Sequence, residues 1–186
     1  MQTITALFDD YDDAADAVGE LESMGAPPSD LSIIANNADG RHSSAAAEDA
    51  ASGAGIGAVV GGAGGLATGL GAIAIPGVGP VVAAGWLAAT AAGAAAGAVV
   101  GGAAGGIIGS LTDGGVSEGD AHVYAEGIRR GGTLLTARVE DDLAPQAQAI
   151  LHDSRSVDIG ERRNDYEAGG WTGFDPRAGD YRQQSK

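Results

Sequence analysis

Ile75-Pro76-Gly77-Val78-Gly79-Pro80 lies near the middle of a long uncharged stretch, and its reading decides the fold. Pro76 and Pro80 interrupt a helical hydrogen-bond ladder, while Gly77 and Gly79 permit a turn with positive φ. The segments joined by that turn carry a regular signal. Gly53, Gly57, Gly61, Gly65 and Gly69 precede it at four-residue intervals, and Gly93, Gly97, Gly101, Gly105 and Gly109 follow it at the same interval. Residues four apart share one side of a helix, so each run would form a groove without side chains, where another helix backbone can approach closely. The spacing predicts a glycine-zipper helical hairpin over 51–111, with arms at 51–74 and 81–111. At 1.5 Å per residue the arms would be about 36 and 46 Å long, against about 30 Å for a bilayer core.

The first arm sets six strongly apolar residues (Ile56, Val59, Val60, Leu66, Leu70 and Ile73) against nine glycines. Each interior Gly costs about 1 kcal/mol of helix propensity relative to Ala, so these are poor helices in water. A single arm inserts marginally. Two environments would hold the hairpin: a bilayer, or a soluble assembly with a dry Gly/Ala core.

Working outward, residues 1–40 and 112–162 read as small α/β pieces. Thr3 to Phe8 alternates as a strand. Asp9, Asp10, Asp12 and Asp13 supply a cap and a first acidic turn for a helix carrying Ala14, Ala15, Val18, Leu21 and Met24. Gly25 and Pro27-Pro28 stop that helix, and Leu31 to Ala35 forms the next strand. Ser117 caps a further helix that runs to Arg129-Arg130 before Gly131-Gly132. Thr133 to Val139 is a strand, Glu140-Asp141-Asp142 caps a helix through Leu143, Ala147, Ile150 and Leu151, and Ser156 to Glu161 is read as the last strand. Two such βαβ halves predict an α+β fold, a ferredoxin-like sandwich split by the helical hairpin. The expected divisions are 1–40, a polar linker 41–50, the hairpin 51–111, a helix plus second half 112–162, and a polar aromatic tail 163–186.

Composition narrows the function. The 186 residues hold 25 acids against 10 bases, a formal charge of -15 and a pI near 4.2. Such a surface repels phosphate backbones and anionic headgroups, which argues against nucleic-acid partners. There is no Cys, and the one lysine is Lys186, which removes thiolate chemistry, Schiff-base catalysis and a P-loop lysine. His42, His122 and His152 show no metal-ligand spacing, and the acidic runs lack the glycine and terminal Glu of a calcium loop. Ser43, Ser44 and Ser117 stand in no nucleophile elbow. No cofactor, metal, catalytic residue or small-molecule substrate is expected. Arg129 and Arg130 either neutralise the carbonyl end of their helix or hold an acidic partner. Trp171 and Phe174, with Tyr181, form a docking segment, an interface anchor or a tail packed on its own domain. The first residues run straight into Asp9 and Asp10 without a basic region, so a cytoplasmic location is expected. If the hairpin inserts, both termini stay on the cytoplasmic side of the inner membrane.

Leu7-Phe8-Asp9-Asp10, Asp30-Leu31-Ser32-Ile33-Ile34-Ala35, the turn Ala74 to Pro80 and Tyr124-Ala125-Glu126-Gly127-Ile128-Arg129-Arg130-Gly131-Gly132 together resemble the bacterial general stress proteins, in which a heat-induced stress protein domain is split around a glycine zipper. The resemblance covers about residues 2–165. It implies a non-enzymatic role in the general stress response, with no catalytic residues to carry over. The leading expectation is a membrane-associated or self-assembling homo-oligomer. The alternative is a soluble oligomeric regulatory module that binds a ligand on its ferredoxin-like sheet.

Overall fold

The computed structural model describes residues 1–38, 71–75, 78–87, 106–178 and 181. Their fold is mixed α/β around one antiparallel sheet. The strands are β1 (Gln2–Phe8), β2 (Leu31–Asn36), β3 (Gly71–Ile75), β4 (Gly79–Gly85) and β5 (Thr133–Val139), in the spatial order β1-β5-β2-β4-β3. The helices are α1 (Tyr11–Met24), α2 (Ile107–Asp113), α3 (Glu118–Arg129), α4 (Ala144–Asp153) and α5 (Ile159–Ala168).

The first half forms as its sequence predicts. Asp12 and Asp13 occupy the first turn of α1, although Asp10 makes no side-chain capping bond. Gly25 at φ 108° ends the helix, with its N–H on Glu22 O and that of Ala26 on Leu21 O, satisfying two terminal carbonyls. β1, α1 and β2 make a split βαβ unit, because β5 lies antiparallel between the two strands. Phe8 and Ala35 both face Thr133 across that strand.

The period-2 alternation divides the sheet into two buried faces. Ile4, Ala6, Phe8, Ile33, Leu135 and Ala137 pack under α1 and α4. Leu7, Ile34, Val81, Ala83 and Leu134 pack under α2 and α3. Full burial of a side chain such as Leu or Phe contributes about 1.5–3 kcal/mol, so both faces stabilise the sheet. Helices on both faces make three layers, which departs from the two-layer ferredoxin-like sandwich.

Three expectations are corrected, two of them local. Ser156 to Glu161 is not a strand. Val157 N–H donates to Leu7 O at 2.8 Å, one strand-like bond at the outer edge of β1, and α5 then begins. Asp158 caps that helix by accepting from Glu161 N–H at 2.8 Å, and this cap outweighs the alternation of Val157 and Ile159. Nor does Glu140-Asp141-Asp142 cap α4, whose N-cap is Leu143.

The larger correction concerns the predicted helical hairpin. Residues 71–75 and 79–85, assigned to its arms and turn, form the β-hairpin β3–β4, and β4 pairs with β2 from Asn36↔Val81 to Ser32↔Gly85. Gly79, at φ 98°, opens β4, and the exposed Pro80 accepts from Asn37 N–H at 2.9 Å. The turn is thus built into the acidic domain. Val81 and Val82 are fully buried, and β-branched residues favour this pleated setting over a helix. Among the described residues no helix is long and apolar enough to cross a membrane.

Gly85 closes the design of this edge. At φ 92° a Cβ would overlap the Leu31 carbonyl and press on Ser32, while Ser32 Oγ donates to Ala84 O at 2.8 Å. Gly85→Ala is expected to lose at least about 2 kcal/mol in urea unfolding, from left-handed strain and the clash together. Joining Asn37 directly to Asp113 would remove β3, β4 and α2. The shortened chain is expected to expose Ile34 and Leu134 and to lose its cooperative thermal transition in circular dichroism.

Candidate functional site

The densest group of buried charge forms where α3, α5 and residues 169–178 meet. Gly127 lets α3 sit close on the sheet, since a Cβ there would overlap Leu7 Cδ2. Asn36 Nδ2 donates to Ile128 O at 2.9 Å and fixes the helix end against β2. On this last turn Glu126 is 1% exposed. Arg129 Nε and Nη2 donate to its Oε2 and Oε1 at 2.8 and 2.6 Å, and Arg130 Nε donates to Oε1 at 2.6 Å. The spacings i,i+3 and i,i+4 bring both guanidiniums back over one carboxylate. The bond to Glu126 raises the Arg129 pKa further, against the opposing effect of burial.

Aromatic rings cover these cations. The Tyr166 ring centroid lies 4.1 Å from the Arg130 guanidinium carbon, and the Tyr181 ring lies 5.1 and 4.7 Å from those of Arg129 and Arg130. Burial pushes the Tyr166 phenol up, opposed by the adjacent Arg162. Arg162 in turn clasps Asp9 in a bidentate pair at 2.7 and 2.8 Å, tying α5 to the end of β1. That hydrogen bond holds the Asp9 carboxyl below its usual range, with burial opposing it. Tyr124 Oη donates to Thr5 O at 3.1 Å, and burial raises its pKa to about 12.

The C-terminal aromatics pack on this face. Phe174 is buried beside α3, its N–H donating to His122 Nδ1 at 3.2 Å. Trp171 meets Tyr166 edge-on, with centroids 5.8 Å apart and planes at 69°. A cavity of about 240 Å³ opens between His122, Arg163, Glu167 and Trp171. Arg163 Nη2 donates to Asp120 Oδ1 at 2.5 Å on one side of it.

Of the residues singled out in the sequence, Arg129 and Arg130 meet on Glu126, Trp171 packs on the Tyr166 ring that also faces Arg130, and Phe174 lies against α3 at His122. The two arginines hold an acid of their own helix, and Phe174 is a core residue of the tail. Gly53, Gly57, Gly61, Gly65, Gly69, Gly93, Gly97, Gly101 and Gly105 lie outside the described residues, as do Pro76 and Gly77. Gly109 falls within α2, and a Cβ built there meets no described atom within 4 Å outside its chain neighbours and its own helix backbone. Among the described residues no three His, Asp or Glu side chains gather as a metal site. Glu126 was not singled out in the sequence, although Glu126, Arg129 and Arg130 at helical spacing carried the signal. Comparison with protein-family models, curated proteins and solved structures finds no match for this chain.

Removing Glu126 leaves Arg129 buried without its counter-charge. Glu126→Ala is expected to destabilise the fold by about 3–5 kcal/mol in urea titration, far more than an exposed pair would. The pH response of the Asp9–Arg162 clasp has a definite sign. Its carboxylate is stabilised by folding, so its contribution is complete above the unfolded value of about 3.9 and is lost as pH falls through the lower folded value. Asp9→Asn should therefore speed hydrogen exchange of the α5 amides at pH 7 and remove the acid-dependent step that the wild-type chain shows below pH 4.

Proposed function

We propose that this chain is a non-enzymatic bacterial stress-response protein that acts by self-association through its Gly/Ala-rich stretches. One observation carries the assembly reading: β4 lies in the same sheet as β2 and β5, so the turn between the two glycine runs stays with the acidic domain. A two-span membrane hairpin needs that turn on the far side of the bilayer, and the pairing of β4 with β2 counts against that arrangement. The glycine runs thus attach to one folded body at β2, β3, β4 and α2. Their sequence has no charge to hold water, and close backbone contact is the means by which Gly/Ala helices gain stability. The stress assignment rests on the resemblance of residues 2–165. Support for a non-catalytic role comes from the charged clusters, in which Glu126, Asp9, Asp30 and Asp120 each bind an arginine of the same domain.

Light scattering of the full-length chain in buffer and in detergent tests the assembly. An oligomer in buffer is expected. Gly97→Leu and Gly101→Leu should reduce it, because an isobutyl group in a tight groove costs about 1–3 kcal/mol, and Gly102→Leu, one position off the register, should be milder. A monomer in buffer, or a membrane fraction that resists carbonate extraction, overturns the proposal in favour of lipid association. Immunoblotting through heat and salt shock and stationary phase is expected to show rising abundance, and constant abundance overturns the stress assignment.

A further inference from the structure

The cavity between α3, α5 and residues 171–173 is lined by groups of both charges. Its lining includes the cation Arg163, His122, the carboxylate of Glu167 and the indole of Trp171. Gly119 contributes to this shape. A Cβ there would meet the Arg163 Nη2, Nη1 and Cζ atoms at 3.6, 3.8 and 3.9 Å, so the guanidinium sits against α3 at the position where the helix has no side chain. Asp120 takes one of its nitrogens, and the remaining N–H groups keep their donor capacity. His122 accepts the Phe174 N–H on Nδ1, which places the proton of the neutral ring on Nε2 and makes that nitrogen a donor. Glu167 is exposed and one helical turn beyond Arg163, with no ion pair between the two.

From this arrangement we propose that the cavity binds a small zwitterion, a molecule bearing one carboxylate and one ammonium group. The carboxylate meets Arg163 and the His122 N–H. The ammonium lies between Glu167 and the indole of Trp171, the aromatic side chain that attracts cations most strongly. Charge decides against simpler ligands. A bare anion meets Glu167, Asp120 and a chain of formal charge -15, and a bare cation leaves the remaining donor groups of Arg163 and His122 unused. A zwitterion is neutral overall, so the net field of the protein leaves it unopposed while each local charge finds its partner. Size sets a second limit, because about 240 Å³ is below the roughly 300 Å³ at which pockets for larger ligands begin. This inference is independent of self-association, since every residue involved lies on α3, α5 or the tail.

The test uses the ¹⁵N-labelled full-length chain titrated with trimethylglycine, following the indole N–H signals of its 2 tryptophans. The signal that disappears in Trp171→Phe should shift and saturate with a Kd of roughly 1 mM, while that of Trp86 stays in place. Arg163→Gln and Glu167→Gln should each weaken binding about tenfold, the loss of one charge-assisted contact. Acetate and tetramethylammonium, each carrying half of the ligand's charge pattern, should also bind at least about tenfold more weakly. Glu167→Gln changes an exposed side chain and keeps the fold, so it remains informative if Arg163→Gln perturbs α5. A Trp171 signal that does not move overturns the proposal. So does equal binding of acetate or tetramethylammonium, or undiminished binding by Glu167→Gln.

Discussion

Everything in this fold depends on β5 being hydrogen-bonded along both edges. Thr133 to Val139 pairs with β1 on one side and β2 on the other, although both strands lie about a hundred residues or more upstream. β1 and β2 run parallel, and neither completes its ladder until β5 enters between them. The strand is buried on both faces, so it must also accommodate its own polar groups. Thr136 is fully buried, and Thr5 Oγ1 reaches its Oγ1 at 3.5 Å across the β1–β5 pair. A sheet closed by such distant pairing folds more slowly than one built from local hairpins, because loop closure precedes the reward of contact.

The second face follows from the same constraint. With β5 between β1 and β2, Leu7, Leu134 and Ile34 line up across three strands, and α1 and α4 cannot cover them from the opposite side. α3 takes this position, and Gly127 and Gly132 allow its close approach. A Cβ at Gly132 would lie 3.0 Å from both Gly127 O and Phe8 O. The tail then covers α3, with Phe174 as its buried anchor. Burial of Glu126 is a consequence, and its two arginines offset the loss of water around that carboxylate.

Much of the order was legible in residue spacing. α1 with its Gly25 stop, β2, α3 with its Ser117 cap and β5 all stand where alternation, helical period and capping placed them. Failures came where two signals competed. Residues 71–85 are short apolar runs between two four-residue glycine registers, and periodicity alone does not separate a buried strand from a helix there. Ile73, Ile75, Val78, Val81 and Val82 carried the β-branched signal that separates them. Asp158 and Glu161 likewise offered a helix start that outweighed two alternating apolar residues. The site was legible as residues but not as geometry. Arg129 and Arg130 were visible as cations, whereas their partner Glu126 became decisive only once α3 was seated against the sheet.

The scarcity of basic residues links this packing to the proposed self-association. Arg129, Arg130, Arg138, Arg155, Arg162 and Arg163 each contact an acid of the same domain: Glu126 for the first two, then Asp30, Asp13, Asp9 and Asp120. With 25 acids to 10 bases, this internal pairing leaves the surplus carboxylates to set the surface potential. At physiological salt that potential decays over about 8 Å, so copies of the domain feel little repulsion at a distance and much at contact. Close approach therefore favours parts of the chain without charge. Residues 50–112 contain none, and within them the sheet already holds the β3–β4 hairpin in place. The hairpin divides the uncharged sequence into two stretches, each anchored to a domain whose net negative charge disfavours contact between its charged surfaces.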